Sequence, residues 1–129
     1  MSPLPETYRA VVLTGPDAPF RLQTVPLQAP APDQVLVKVH ACGVCLGDVA
    51  VAAGHLGTSF FPSTPGHEFV GEVVQVGSAV ASSVLRTGQR VGGAWHGGHD
   101  GQCRPCRRGQ FQLCEDGQIH GAGRAGGFA

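Results

Sequence analysis

The 129-residue sequence has no excess of charge of either sign. Nine Lys and Arg balance nine Asp and Glu, and charged residues are only 14% of the chain. A basic stripe for nucleic acid or an acidic membrane surface is therefore not expected. Long apolar runs are missing as well. No stretch approaches the roughly 18 residues of a membrane-spanning helix, and Met1 to Ala10 lacks the apolar core of a signal peptide. A cytoplasmic setting is expected, where disulfides are rare. No internal repeat is visible. Twenty Gly and ten Pro follow no G-x-y period, which excludes collagen. Gly and Pro at this density also break helices, which argues against a helix bundle. A turn-rich, mainly β domain remains, long enough to bury roughly two-thirds of its unfolded surface.

The pattern along the chain supports this. Residues 9–14 (RAVVLT), 20–25 (FRLQTV), 34–41 (QVLVKVHA), 69–76 (FVGEVVQV) and 90–94 (RVGGA) read as strands. Val35, Val37 and Val39 fall on one face of the third. Residues 45–53 predict a short helix ending at Gly54, and 58–65 a loop. From Trp95 the pattern dissolves into Gly, His, Arg and Cys. The expectation is a small barrel or curled sheet to about residue 94, followed by a stapled lobe over about 95–118.

Five cysteines form two groups, Cys42 with Cys45 and Cys103 with Cys106 and Cys114. In a reducing compartment, clustered cysteines point first to metal. The lobe has too few apolar side chains to fold alone, and a bound zinc would supply the missing folding energy. Zinc prefers four ligands. Asp100 completes an even D-x2-C-x2-C-x7-C pattern, and His99 is the rival fourth ligand. Arg104, Arg107 and Arg108 would offset the negative charge of such a set. The alternatives are three free thiols, or one disulfide with one thiol left over.

A second group is less marked. Cys45 follows a strand and opens the expected helix, where the N-terminal dipole favours a thiolate. His67-Glu68 follows the Pro65-Gly66 turn, and Asp48 could orient His67 through its second ring nitrogen. By themselves these residues also fit a buried Cys and a satisfied His. Cys42-Gly-Val-Cys45 matches a redox C-x-x-C, but no βαβ pattern surrounds it, and Cys42 reads as a small core residue. Gly121-Ala-Gly-Arg-Ala-Gly126 matches G-x-G-x-x-G, but no helix can open after it within this chain. It is not read as a nucleotide site.

Gly43-Val-Cys45-Leu-Gly-Asp48, then Gly66-His67-Glu68-Phe-Val-Gly71 continuing to Gly77, then Gly88-Gln-Arg-Val91 and the cysteine lobe, together resemble the zinc-dependent medium-chain alcohol dehydrogenases. The resemblance runs from about residue 8 to the end. It implies that residues 1–129 are a GroES-like β-barrel catalytic domain, with short helices and a zinc-stapled lobe. It implies a catalytic zinc with Cys45 and His67 as ligands, Asp48 behind His67, and Glu68 beside the metal. It also implies a structural zinc on Cys103, Cys106 and Cys114, with Asp100 where the first cysteine usually stands, and Trp95 as a substrate-pocket wall.

In that family zinc polarises a small alcohol or aldehyde for hydride transfer with NAD(P). No Rossmann domain and no second catalytic Cys are found in these 129 residues. The chain alone is therefore expected to be inactive and to self-associate through an exposed cleft. Gly47 replaces the usual Ser or Thr of the proton relay, Ala50 a frequent His, and Gln89 a frequent Asp. The alternative function is a non-enzymatic, zinc-stabilised GroES-like binding module or a truncated remnant.

Overall fold

A computed structural model describes residues 3–129. The chain is mainly β. Its elements are β1 (Thr7–Val12), β2 (Arg21–Pro26), β3 (Val35–Gly43), α1 (Leu46–Ala52), β4 (Glu68–Val76), β5 (Arg90–Gly93), β6 (His96–Gly98), β7 (Gln118–His120) and β8 (Gly123–Arg124). They make three small sheets rather than one continuous curled sheet: β1–β2, β3–β4–β5 and β6–β7–β8. All pairs are antiparallel except β7–β8.

The expected strands up to residue 94 are present with shifted ends. β1 stops at Val12 because Leu13 leaves β2 and pairs with Ser63 across an isolated bridge. In β3, Val37 and Val39 turn inward while Lys38 and His40 are exposed. An irregularity between Val39 and Ala41 then shifts the register. A one-residue slip exchanges the faces of a strand, so Cys42 turns inward although it is three residues from Val39. The sheet of β6, β7 and β8 was not expected. Its strands are two or three residues long, too short for an alternation to show in sequence.

The fully buried large side chains are few: Leu13, Val51, Val73 and Pro65. Ser63 to His67 is a buried loop. A buried loop must find partners for its backbone polar groups, and four of its carbonyls find them. The carbonyls of Ser63, Thr64, Pro65 and Gly66 accept from the amides of Leu13, Gly126, Phe128 and Gly127 at 2.7–3.0 Å. The glycine-rich end of the chain is thus a strap across the back of this loop. A Cβ at Gly126 would collide with the Pro65 and Gly66 carbonyls, so only glycine allows that approach. No described helix is long and apolar enough to cross a membrane.

Candidate metal centres

The lobe is closed by two short 3-10 turns, Cys106–Arg108 and Phe111–Leu113. They bring Asp100, Cys103, Cys106 and Cys114 together, with their donor atoms all within 4.8 Å of one another. Asp100 Oδ1 accepts from the amides of Gln102 at 2.7 Å and Cys103 at 3.0 Å, which fixes the carboxylate at the mouth of the loop. The Asp100 amide donates to Cys114 Sγ at 3.3 Å, and the Cys103 and Cys114 sulfurs are 3.9 Å apart. His99 is not in this group. Its Nδ1 meets His96 Nε2 at 3.0 Å, and its ring stacks on Phe111 with centroids 4.3 Å apart.

The protonation balance of the lobe is uneven. Backbone donation, from Cys103 first and then Gln102, holds the Asp100 carboxyl well below the usual range. Cys103 is lowered, chiefly by the Glu115 amide. Cys106 is buried and pushed up to about 12 by that burial and by its two thiol neighbours. Arg104, Arg107 and Arg108 are all exposed, where charge is well screened. Three thiols packed this closely cannot all ionise without a cation among them, and a soft divalent metal suits such a donor set.

The second group draws on separate elements. Cys45 caps α1, His67 ends the buried loop and Glu68 opens β4. Their donor atoms also lie within 4.8 Å of one another. Asp48, only 2% exposed, organises the group. Its Oδ2 accepts from the Cys45 amide and its Oδ1 from the Gly66 amide, each at 3.0 Å. His67 Nδ1 stands 3.2 Å from the same Oδ1. That contact is close but not aligned as a hydrogen bond, so the buried Nδ1 has no well-directed acceptor. With Nδ1 turned to Asp48, Nε2 is the ring atom left to coordinate. The donor set, one each of carboxylate, imidazole and thiol, is one that zinc accepts.

Glycines make room for these side chains. Glu68 lies opposite Gly43, where a Cβ would come within 2.5 Å of its Oε2. Gly66 holds a backbone φ of +101°, which turns the buried loop into β4 and aims His67 at Cys45. Trp95 is 37% exposed and meets His67 edge-on, with centroids 4.8 Å apart. Val44, Leu46 and Val49 around this group are exposed apolar side chains.

All five cysteines are free, so Cys42 and Cys45 form no disulfide. Burial pushes the Cys42 thiol up, with the Asp48 and Glu68 charges adding to the effect. The strap of Gly126 to Phe128 and the Asp48–Gly66 bond were not foreseen. The strap's only sequence signal was a glycine pattern that also fits a nucleotide motif.

The alcohol dehydrogenase GroES-like domain matches residues 31–129. The chain is 44% identical over 126 residues to the alcohol dehydrogenase notN of Aspergillus sp. (strain MF297-2), covering 98% of this chain and 36% of that protein. It superposes with a TM-score of 0.80 and 32% identity on a cobalt- and zinc-bound thermostable alcohol dehydrogenase from Pyrobaculum aerophilum, covering 92% of this chain and 36% of the other. A short chain alcohol dehydrogenase from E. coli CFT073, complexed with NADH, gives a TM-score of 0.82 at 28% identity, covering 96% and 35%. The chain therefore spans about a third of the length of the relatives it matches.

Proposed function

This chain belongs to the alcohol dehydrogenase GroES-like domain family, and from that premise we propose that it is the substrate-side domain of a zinc-dependent oxidoreductase acting on a small alcohol or aldehyde with NAD(P). The observation that carries the reading is the convergence of Cys45, His67 and Glu68 on one point, with Asp48 behind them. Cys45, His67 and Glu68 would hold the catalytic zinc, and Asp100, Cys103, Cys106 and Cys114 a structural one. Zinc, when bound, supplies Lewis-acid polarisation of a substrate oxygen.

The chain's own residues provide the frame for that chemistry. Asp48 fixes Cys45 and His67 relative to each other by holding the backbone on both sides. It also favours the His67 tautomer with hydrogen on Nδ1. Glu68 places a carboxylate beside the thiol and the imidazole, where it would serve as a third ligand, through oxygen, or yield that place to another. Gly47 and Ala50 carry no group that can accept a proton, so a relay through these two positions would need water or another group. Trp95 covers one side of His67 with an apolar edge and keeps bulk water from that face. Hydride acceptance is assigned to a nicotinamide held by sequence outside these residues, since the relatives are about three times as long.

The test is Co2+ substitution followed by absorption. A thiolate–imidazole centre gives intense near-ultraviolet and visible bands. A component of these should vanish in Cys45→Ser and in His67→Ala while the lobe's component stays. If both variants give the wild-type spectrum, the second centre does not exist.

A further inference from the structure

His120 ends β7, and its side chain reaches back to the segment between β5 and β6. Its Nδ1 lies 2.7 Å from the carbonyl oxygen of Ala94, and its amide donates to the carbonyl of Trp95 at 3.2 Å. A carbonyl only accepts, so Nδ1 carries the hydrogen. The half-buried ring also meets Phe69 edge-on, with centroids 5.1 Å apart. That burial lowers its pKa, and the charges of Arg124, His96 and His67 act the same way, so the ring is neutral at neutral pH.

The segment that His120 reaches has little shape of its own. Residues 92–98 read Gly-Gly-Ala-Trp-His-Gly-Gly, four glycines in seven positions. Glycine gives up the most backbone freedom on folding, so such a stretch needs ties from outside. Trp95 sits at its middle, with its ring edge-on to His67 and centroids 4.8 Å apart. The geometry points to His120 as a positioning residue for Trp95, one that fixes the Ala94–Trp95 backbone and so sets how closely the indole closes on His67. Its consequence, the width of the cleft beside the second centre, rests on the metal reading above. The same stretch of chain runs on behind His67. A Cβ at Gly121 would stand 3.0 Å from the Gly66 amide nitrogen, and Gly126 to Phe128 strap the buried loop. Residues 120–128 thus hold the loop of His67 from behind and place the indole in front of it.

Emission of Trp95, the only tryptophan of the 129-residue chain, tests this. Acrylamide quenching reads how open the indole is, with or without metal. Co2+ quenching reads how near it stands to the second centre. Three replacements separate the hydrogen bond from the ring. His120→Asn keeps a donor at the place of Nδ1 but withdraws the ring from Phe69. His120→Phe keeps a ring there but cannot donate. His120→Ala removes both.

His120→Phe and His120→Ala should raise acrylamide quenching about twofold, as an indole that is 37% exposed loses its tie and swings toward solvent. His120→Asn should stay close to wild type. Co2+ quenching should fall in the Phe and Ala variants and persist in Asn. Co2+ affinity should remain within about twofold of wild type in all three, since no donor is replaced. A role in packing alone predicts the reverse order, Phe mild and Asn severe, and that order would overturn the proposal. Wild-type acrylamide quenching in all three variants would overturn it as well. If His67→Ala leaves Co2+ quenching of Trp95 unchanged, the metal reading itself fails, and the acrylamide series still decides the role of His120.

Discussion

The two candidate metal centres are built in opposite ways. In the lobe, four donors come from residues 100–114, and two 3-10 turns suffice to gather them. The other centre takes Cys45 from a helix cap, His67 from a buried loop and Glu68 from a strand start. Its assembly waits on the β3–β4 register, on Asp48 and on the strap of residues 126–128. On the reading proposed above, the first centre needs metal in order to fold. The second is held by the fold before any metal arrives. Local sequence is therefore enough to write the one, while the other exists only after long-range contacts have formed.

The largest effect should come from the lobe's buried thiol. Cys106→Ser removes a donor that is only 5% exposed. It should cost the lobe its metal and lower Tm by about 10 °C or more, since structural zinc contributes directly to folding. Differential scanning calorimetry with and without a chelator reads this. An unchanged Tm would mean the lobe stands without metal, and the contrast between the centres would collapse.

Asp48→Ala is next. It orphans the Cys45 and Gly66 amides, which are both satisfied by its carboxylate. The cost to stability should be about 2–4 kcal/mol, and Co2+ affinity at the second centre should fall about 10–100-fold. The lobe's affinity should not change. Chemical denaturation and a metal titration on the same sample check both halves. A matching loss in the lobe would show that the centres are not independent.

A smaller effect distinguishes the lobe's fourth donor. Asp100→Asn should weaken zinc retention several-fold more than His99→Asn, because Asp100 faces the thiols while His99 is engaged with His96 and Phe111. Competition with a chromophoric chelator ranks the two, and the reverse order would transfer the role to His99. The smallest effect concerns Cys42. Burial raises its thiol pKa, so less thiolate is present at pH 8 and alkylation should be slower than for an exposed cysteine. Mass-spectrometric labelling rates measure this, and rapid labelling would contradict the buried setting.

What was legible in the sequence follows the same division. The lobe's donors were visible because their spacing is local, and the strands up to residue 94 because alternation over five or more residues leaves a pattern. The grouping of Cys45, His67 and Glu68 came from family resemblance rather than from spacing, since twenty-two residues lie between Cys45 and Glu68 and only the β3–β4 pairing brings them together. The sheet of β6, β7 and β8 was hidden by strands of two and three residues. Gly121 to Gly126 advertised a phosphate loop in pattern alone. In three dimensions its last glycine permits a backbone approach to Pro65 and Gly66 that any side chain would block. Gly47 read as a gap in a relay, and only the structure shows how closely His67 and Trp95 approach it.

The central claim is that one chain carries two independent metal centres of unequal hold. Metal content by mass spectrometry under native conditions, before and after brief chelation, tests it most directly. The account predicts two zinc ions per chain at first and one after chelation, the survivor being lost in Cys106→Ser and the labile one in His67→Ala. A single zinc that both substitutions remove, or a content that neither changes, would contradict it.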